Sequence, residues 1–137
     1  MAGGLGVIGD LWKTEVIAMC KFINEYKGNV IPVSIIDKPP SAELKPNQKD
    51  TDSLPPYEVL DKILKLIVEE NLPVNKVAEI VGSGAWDVYK MYRQYRNSEY
   101  KRQQMPQTCK VSEKAFGSGR KIPVASNYTD LNRRYNV

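Results

Sequence analysis

Between residues 57 and 104 the apolar side chains return at helical spacing three times in succession, and this run constrains the fold more than any other feature of the chain. Tyr57, Leu60, Leu64, Ile67 and Val68, with Ile63 beside them, line one face of a helix that follows Pro55-Pro56 and ends near Asn71-Leu72-Pro73. A short helix then runs from Val74 to Val81 and stops at Gly82-Ser83-Gly84. A longer one runs from Ala85 to about Gln104 and ends before Pro106. The chain therefore reads as predominantly α-helical, with a long loop in its first half.

Upstream, Val16, Ile17, Cys20 and Ile23 fall on one helix face, which predicts a helix over 14–26. Thr14 is placed to cap its start, and Lys27-Gly28-Asn29 gives a basic last turn followed by a glycine stop. Residues 30–36 are apolar and branched, and Pro32 restricts them to an edge strand or an extended connection. From 37 to 56 apolar periodicity is lost and prolines recur at 39, 40, 46, 55 and 56. A loop of that length is a flexible linker or a lid. Its position between two amphipathic helices favours the lid. Glycines surround the apolar triplet near 122–124 on its upstream side, and residues 128–137 read as a flexible polar tail.

A chain of 137 residues has the size of one domain. No apolar run approaches the roughly 20 residues that a membrane helix needs, and the first residues lack the basic flank and apolar stretch of a secretion signal, so the expected location is cytoplasmic. There is no histidine, which removes the commonest general base and the commonest zinc ligand together and argues against serine-hydrolase and zinc chemistry. Cys20 and Cys109 fit no metal-ligand spacing and read as reduced thiols. A net charge of +4 suits a phosphate-bearing small molecule, a nucleic acid or no anion at all.

Two motifs carry chemical content. Gly3, Gly4 and Gly6 can let a backbone approach a phosphate, or they can form a simple turn; no lysine and serine follow at phosphate-loop spacing. Residues 74–104 have the order of a helix-turn-helix, with Lys90, Arg93, Arg96, Lys101 and Arg102 interleaved with tyrosines. The alternative for that segment is a buried stripe of Val88, Met91 or Tyr92, and Tyr95 with solvated cations around it. Bulky Trp86 and acidic Asp87 at the helix start would meet a DNA groove poorly, so nucleic-acid binding is the weaker reading.

Three stretches, Met1-Ala-Gly-Gly-Leu-Gly-Val-Ile-Gly-Asp-Leu-Trp-Lys-Thr, Lys38-Pro-Pro-Ser-Ala-Glu-Leu-Lys-Pro-Asn-Gln-Lys-Asp-Thr-Asp-Ser-Leu-Pro-Pro-Tyr, and Glu99-Tyr-Lys-Arg-Gln-Gln with Lys114-Ala-Phe-Gly, resemble the synthetase domain of glutamine-dependent NAD+ synthetases. The resemblance covers 1–127. It implies an α/β Rossmann-like parent fold of the adenine nucleotide α-hydrolase kind, with this segment a helix-rich, carboxy-terminal portion and the 37–56 loop at the active site. It implies ATP and magnesium as cofactors, deamido-NAD as a substrate, ammonia from glutamine, an adenylated intermediate, and a homodimer or higher homo-oligomer. Carried over by motif, Lys13 resembles a lysine at ATP, Ser41 occupies a hydroxyl position at the nucleotide, and Lys101 resembles a lysine at deamido-NAD. No catalytic residue and no metal ligand is assigned within the chain. The phosphate loop, the magnesium-holding acids and the glutaminase domain are expected upstream, so the isolated chain is expected to be inactive.

Overall fold

The computed structural model describes residues 3–40, 46, 49–50 and 54–125. Six helices and one minimal strand pair are found among them: β1 (Leu5–Gly6), α1 (Lys13–Lys27), α2 (Val33–Ile36), α3 (Tyr57–Val68), α4 (Val74–Val81), α5 (Ala85–Asn97), α6 (Glu99–Arg102) and β2 (Gln107–Thr108). The expected helical character is observed. No helix among the described residues is long and apolar enough to cross a membrane.

The core is built by α3, α4 and α5. Ile63, Val74, Val77, Ala78, Val88 and Tyr89 are buried together, and Leu66, Ile67, Leu72, Val81, Ala85, Met91 and Tyr92 pack around them. The turns that fold α4 back on its neighbours use left-handed backbone at Asn71 (φ 55) and Gly82 (φ 68), a region open to glycine and tolerated by asparagine. The Gly82 amide donates to the Ala78 carbonyl and closes α4. On α5 the buried residues are Val88 and Tyr89, while Met91, Tyr92 and Tyr95 are half-buried. The tyrosine at 89 was absent from the predicted stripe.

Helix α1 leans on α3 but buries little, and Asn24 is its one buried side chain. The Asn24 amide closes the turn that follows: its Nδ2 donates to the Ile31 carbonyl at 2.8 Å and its Oδ1 accepts from the Ile31 amide at 2.8 Å. That clamp reverses the chain into α2. Residues 33–36 are therefore helical, which corrects the edge strand or extended connection expected over 30–36. Pro32 is the reason, because its fixed φ of −54° places it at the helix N-cap, where a missing amide proton costs nothing.

Three boundaries also change. Trp12, not Thr14, is the N-cap of α1. The Thr14 amide instead donates to Asp61 Oδ2 at 2.9 Å, which ties α1 to α3. The helix predicted to run to 104 breaks at Ser98, whose φ and ψ of −88° and 3° separate α5 from α6. Of the 37–56 loop, the described residues show Asp50 donating its amide to Pro40 and its carboxylate accepting from the Tyr57 hydroxyl at 2.5 Å. The tail over 128–137 lies outside the described residues.

The strands pair in parallel, Leu5 with Gln107 and Gly6 with Thr108. Part of the glycine-rich start packs against this pair. Gly6 and Gly9 lie against the Thr108 side chain, and a methyl group at Gly9 would overlap Thr108 Cγ2. Gly9 is the glycine that packing requires, and what it approaches is the chain's own second strand.

Candidate functional site

The turn after β1 ends on Asp10, which is 2% exposed. Its carboxylate gathers the loop that follows β2. Oδ2 accepts from the amides of Val111 at 2.8 Å and Ser112 at 2.7 Å, and Oδ1 accepts from the Phe116 amide at 2.5 Å and the Ser112 hydroxyl at 3.0 Å. Burial pushes the Asp10 carboxyl up, and these donors more than offset it, holding the group down at about 2.

Arg120 stands beside Asp10, its side chain 5% exposed. Its Nη2 lies 3.5 Å from Asp10 Oδ1, 3.4 Å from Glu69 Oε1 and 2.9 Å from Ser112 Oγ, and its Nε donates to the Lys114 carbonyl. The guanidinium carbon sits 4.7 Å from the centre of the Trp12 ring. Trp12 is held at two further points: its indole N–H donates to Glu69 Oε1 at 2.7 Å and its backbone amide donates to Glu15 Oε2 at 2.9 Å. Glu15 pairs with Lys65, and its carboxyl lies below the usual range; burial opposes this, and the Lys65 hydrogen bond leads the groups that lower it. Lys114 donates to the Val68 carbonyl at the end of α3 and to Asn71 Oδ1 in the turn after it, both at 2.6 Å. Three carboxylates and three cations thus join the amino-terminal turn, α1, α3 and the 111–120 loop.

On the outer side of that loop lies a half-open cleft of about 650 Å³, walled by α6, β2 and residues 115–121. Arg102, Lys110, Arg120 and Lys121 line it against one carboxylate, Glu99. Arg102 is committed: it pairs with buried Glu99 at 2.9 Å, donates to the Tyr95 carbonyl at 2.6 Å and stacks 3.9 Å over the Tyr95 ring. Burial in that stack pushes the Tyr95 hydroxyl above its ordinary value. Lys110 and Lys121 are exposed. Such a cleft is suited by charge to an anionic ligand.

The sequence-assigned residues sit around this framework without meeting in it. Lys13 opens α1, exposed and between pinned Trp12 and Thr14. Lys101 is on α6, exposed, its ammonium 5.9 Å from the Tyr100 ring centre. It neighbours Arg102 in sequence but does not line the cleft, and neither does Lys13. Ser41 lies outside the described residues. Asp10, Glu69 and Arg120 were missed by sequence reasoning, since their 51- and 110-residue separations leave no spacing pattern. The one available signal was a lone acid set among glycine and apolar residues in Gly-Val-Ile-Gly-Asp-Leu-Trp.

The buried acids are engaged by amides and arginines, and among the described residues no cluster of acids, cysteines or histidines could hold a metal ion. Neither cysteine is in a disulfide.

Fold and cleft together define a helical segment with a basic wall. The chain belongs to the NAD synthase family, whose model matches residues 1–105. It is 45% identical over 130 residues to the glutamine-dependent NAD(+) synthetase of Synechocystis sp., covering 93% of this chain and 23% of that protein. The corresponding enzymes of Thermotoga maritima (40% over 131 residues; 95% and 23%) and Aquifex aeolicus (43% over 128 residues; 93% and 22%) are similar. Among solved structures, the glutamine-dependent NAD+ synthetase of Acinetobacter baumannii in complex with ADP matches with a TM-score of 0.52 and 30% identity, over 88% of this chain and 20% of that one. The chain thus spans under a quarter of the length of these relatives.

These findings correct one expectation and weaken another. The carboxy-terminal placement is given up and is not used further. The family match runs through α4 and α5, and it gives the nucleic-acid-binding alternative over 74–104 no support.

Proposed function

We propose that this chain serves as part of a glutamine-dependent, cytoplasmic NAD+ synthetase of α/β Rossmann-like parent fold, which converts deamido-NAD to NAD+ with ATP and ammonia. The observation that carries the reading is the 45% identity to the Synechocystis enzyme over 93% of the chain. A carboxylate is a poor electrophile until one of its oxygens becomes a good leaving group. ATP supplies that change by forming an adenylate and releasing pyrophosphate, after which ammonia attacks the activated carbonyl.

In this reading Lys13 presents an ammonium to the ATP phosphates, Ser41 offers a hydroxyl to the nucleotide, and Lys101 lies at deamido-NAD near the carboxylate that reacts. The basic cleft beside α6 receives an anionic part of the same ligand. Lys110 and Lys121 are the cations there with room to respond, since Arg102 is locked to Glu99 and Tyr95. No phosphate-loop sequence of the Ser-Gly-Gly-x-Asp-Ser kind occurs in the 137 residues, so the chain alone does not turn over. Magnesium, required by phosphate chemistry of this kind, is held by residues of another part of the enzyme.

The test is a chimaera in which this chain replaces the matching segment of the Synechocystis relative, assayed for amide formation from deamido-NAD, magnesium-ATP and ammonia. The chimaera turns over, Lys101→Ala lowers its kcat/KM by about tenfold or more, in line with losing one charge-assisted contact, and the 137-residue chain alone is silent. A folded chimaera without activity overturns the reading.

A further inference from the structure

We infer that Arg120 is the positioning residue for Lys13, acting through the face of Trp12. The inference rests on the proposed role of Lys13 at the nucleotide phosphates. Lys13 makes no hydrogen bond or ion pair of its own among the described residues, and its ammonium ends a four-carbon stem, so where it reaches is set by the backbone that carries it. That backbone is pinned on both sides. Thr14 is tied to Asp61, and Trp12 is held by Glu15, by Glu69 and by the guanidinium over its ring.

Arg120 is the shared member of this arrangement. It contacts Asp10 before α1, Glu69 after α3 and the Lys114 carbonyl in the 111–120 loop, so one planar group fixes three segments to one another. It is also part of the cleft lining. Compared with a well-packed apolar replacement, a buried ion pair of this kind adds little net stability, because desolvation offsets the attraction. What it does fix is geometry, and the residue next to the fixed ring is an uncommitted cation. Lysine at 120 keeps the charge but cannot reach three oxygens in a plane or stack flat on an indole.

The test is a double-substitution cycle in the chimaera with the Synechocystis relative, with ADP binding followed by calorimetry and by NMR of the labelled Trp12 indole N–H. Melting curves on each variant confirm folding. Arg120→Lys is expected to weaken ADP binding about tenfold and to shift the Trp12 indole signal, as Lys13→Ala weakens binding by a similar factor. The double variant binds no more weakly than Lys13→Ala alone, because an arginine that acts through Lys13 has nothing left to position. A merely structural role predicts losses that add. ADP binding that Arg120→Lys leaves unchanged, or losses that add, overturns the inference and leaves the proposed function standing. ADP binding by the chimaera that is indifferent to Lys13→Ala overturns the role of Lys13 and the inference with it.

Discussion

Protonating Asp10 removes the acceptor on which three backbone amides, one hydroxyl and a guanidinium converge, so this carboxylate is a strong contributor to the acid sensitivity of the chain. Its folded pKa, about 2, lies below the ordinary 3.8. The folded state therefore binds the proton less readily than the unfolded one, and the stabilising contribution is complete above about pH 4 and lost as pH falls toward 2. A shift of that size corresponds to about 2 kcal/mol. Urea unfolding between pH 2 and 5 should show a steep loss for the native chain and a shallower one for Asp10→Asn, which starts less stable; equal slopes would mean that the carboxylate does not carry the effect. None of this was legible in the sequence. Lys13 could be picked out by motif, but the groups that hold its backbone could not, because a hydrogen bond across about a hundred residues leaves no periodic trace. Arg120 carried no more sequence signal than the exposed Lys121 beside it.

At the scale of elements, legibility follows the length and strength of the apolar period. Helices α3, α4 and the start of α5 stand where Leu60, Ile63, Val77 and Val88 said they would, since one buried face dictates the register. The misassignment over 30–36 arose because branched residues in a four-residue helix look like a strand, and the deciding contact, Asn24 with Ile31, is a side-chain-to-backbone clamp that apolar spacing does not reveal. The break at Ser98 has a similar origin, in a serine hydroxyl that bonds back to the Gln94 carbonyl at 2.8 Å. The glycine turn was partly legible: Gly3, Gly4 and Gly6 were noticed, but not Gly9, whose partner Thr108 lies on the second strand. If Gly9 is there for Thr108, then Gly9→Ala destabilises the chain by about 1–3 kcal/mol through overpacking. Thr108→Ser removes the offending methyl and keeps the hydroxyl, so the double variant should recover most of the loss in thermal melts. A Gly9→Ala variant as stable as the native chain would show that the turn has slack.

For the whole molecule, the contrast between its two halves matters most. The α3–α5 core is closed, whereas α1, the turn after it and α2 expose Phe22, Tyr26, Val30, Val33 and Ile35, at 59% or more of their surface. Phe22 and Tyr26 stack with centroids 6.3 Å apart, giving a flat aromatic face. Exposed apolar residues gathered in this way favour association, and a net charge of +4 is too small to prevent it. The resemblance implied a homodimer or higher homo-oligomer, and the exposed face gives a physical ground on which to test self-association. Light scattering over a range of concentrations should show the mean mass of the 137-residue chain rising above 15.5 kDa. Added sulfate should strengthen the association, since it favours apolar burial, whereas an ion-paired contact would weaken. Phe22→Glu places a charge in the middle of the aromatic pair and is expected to return the chain to monomer without lowering its melting temperature, because Phe22 is 64% exposed and contributes little to the core. A chain that stays monomeric at every concentration would show that the α1–α2 face does not drive self-association, whereas one whose association survives Phe22→Glu would direct attention to Leu5, Val7 and Ile8, the exposed apolar residues of the amino-terminal turn.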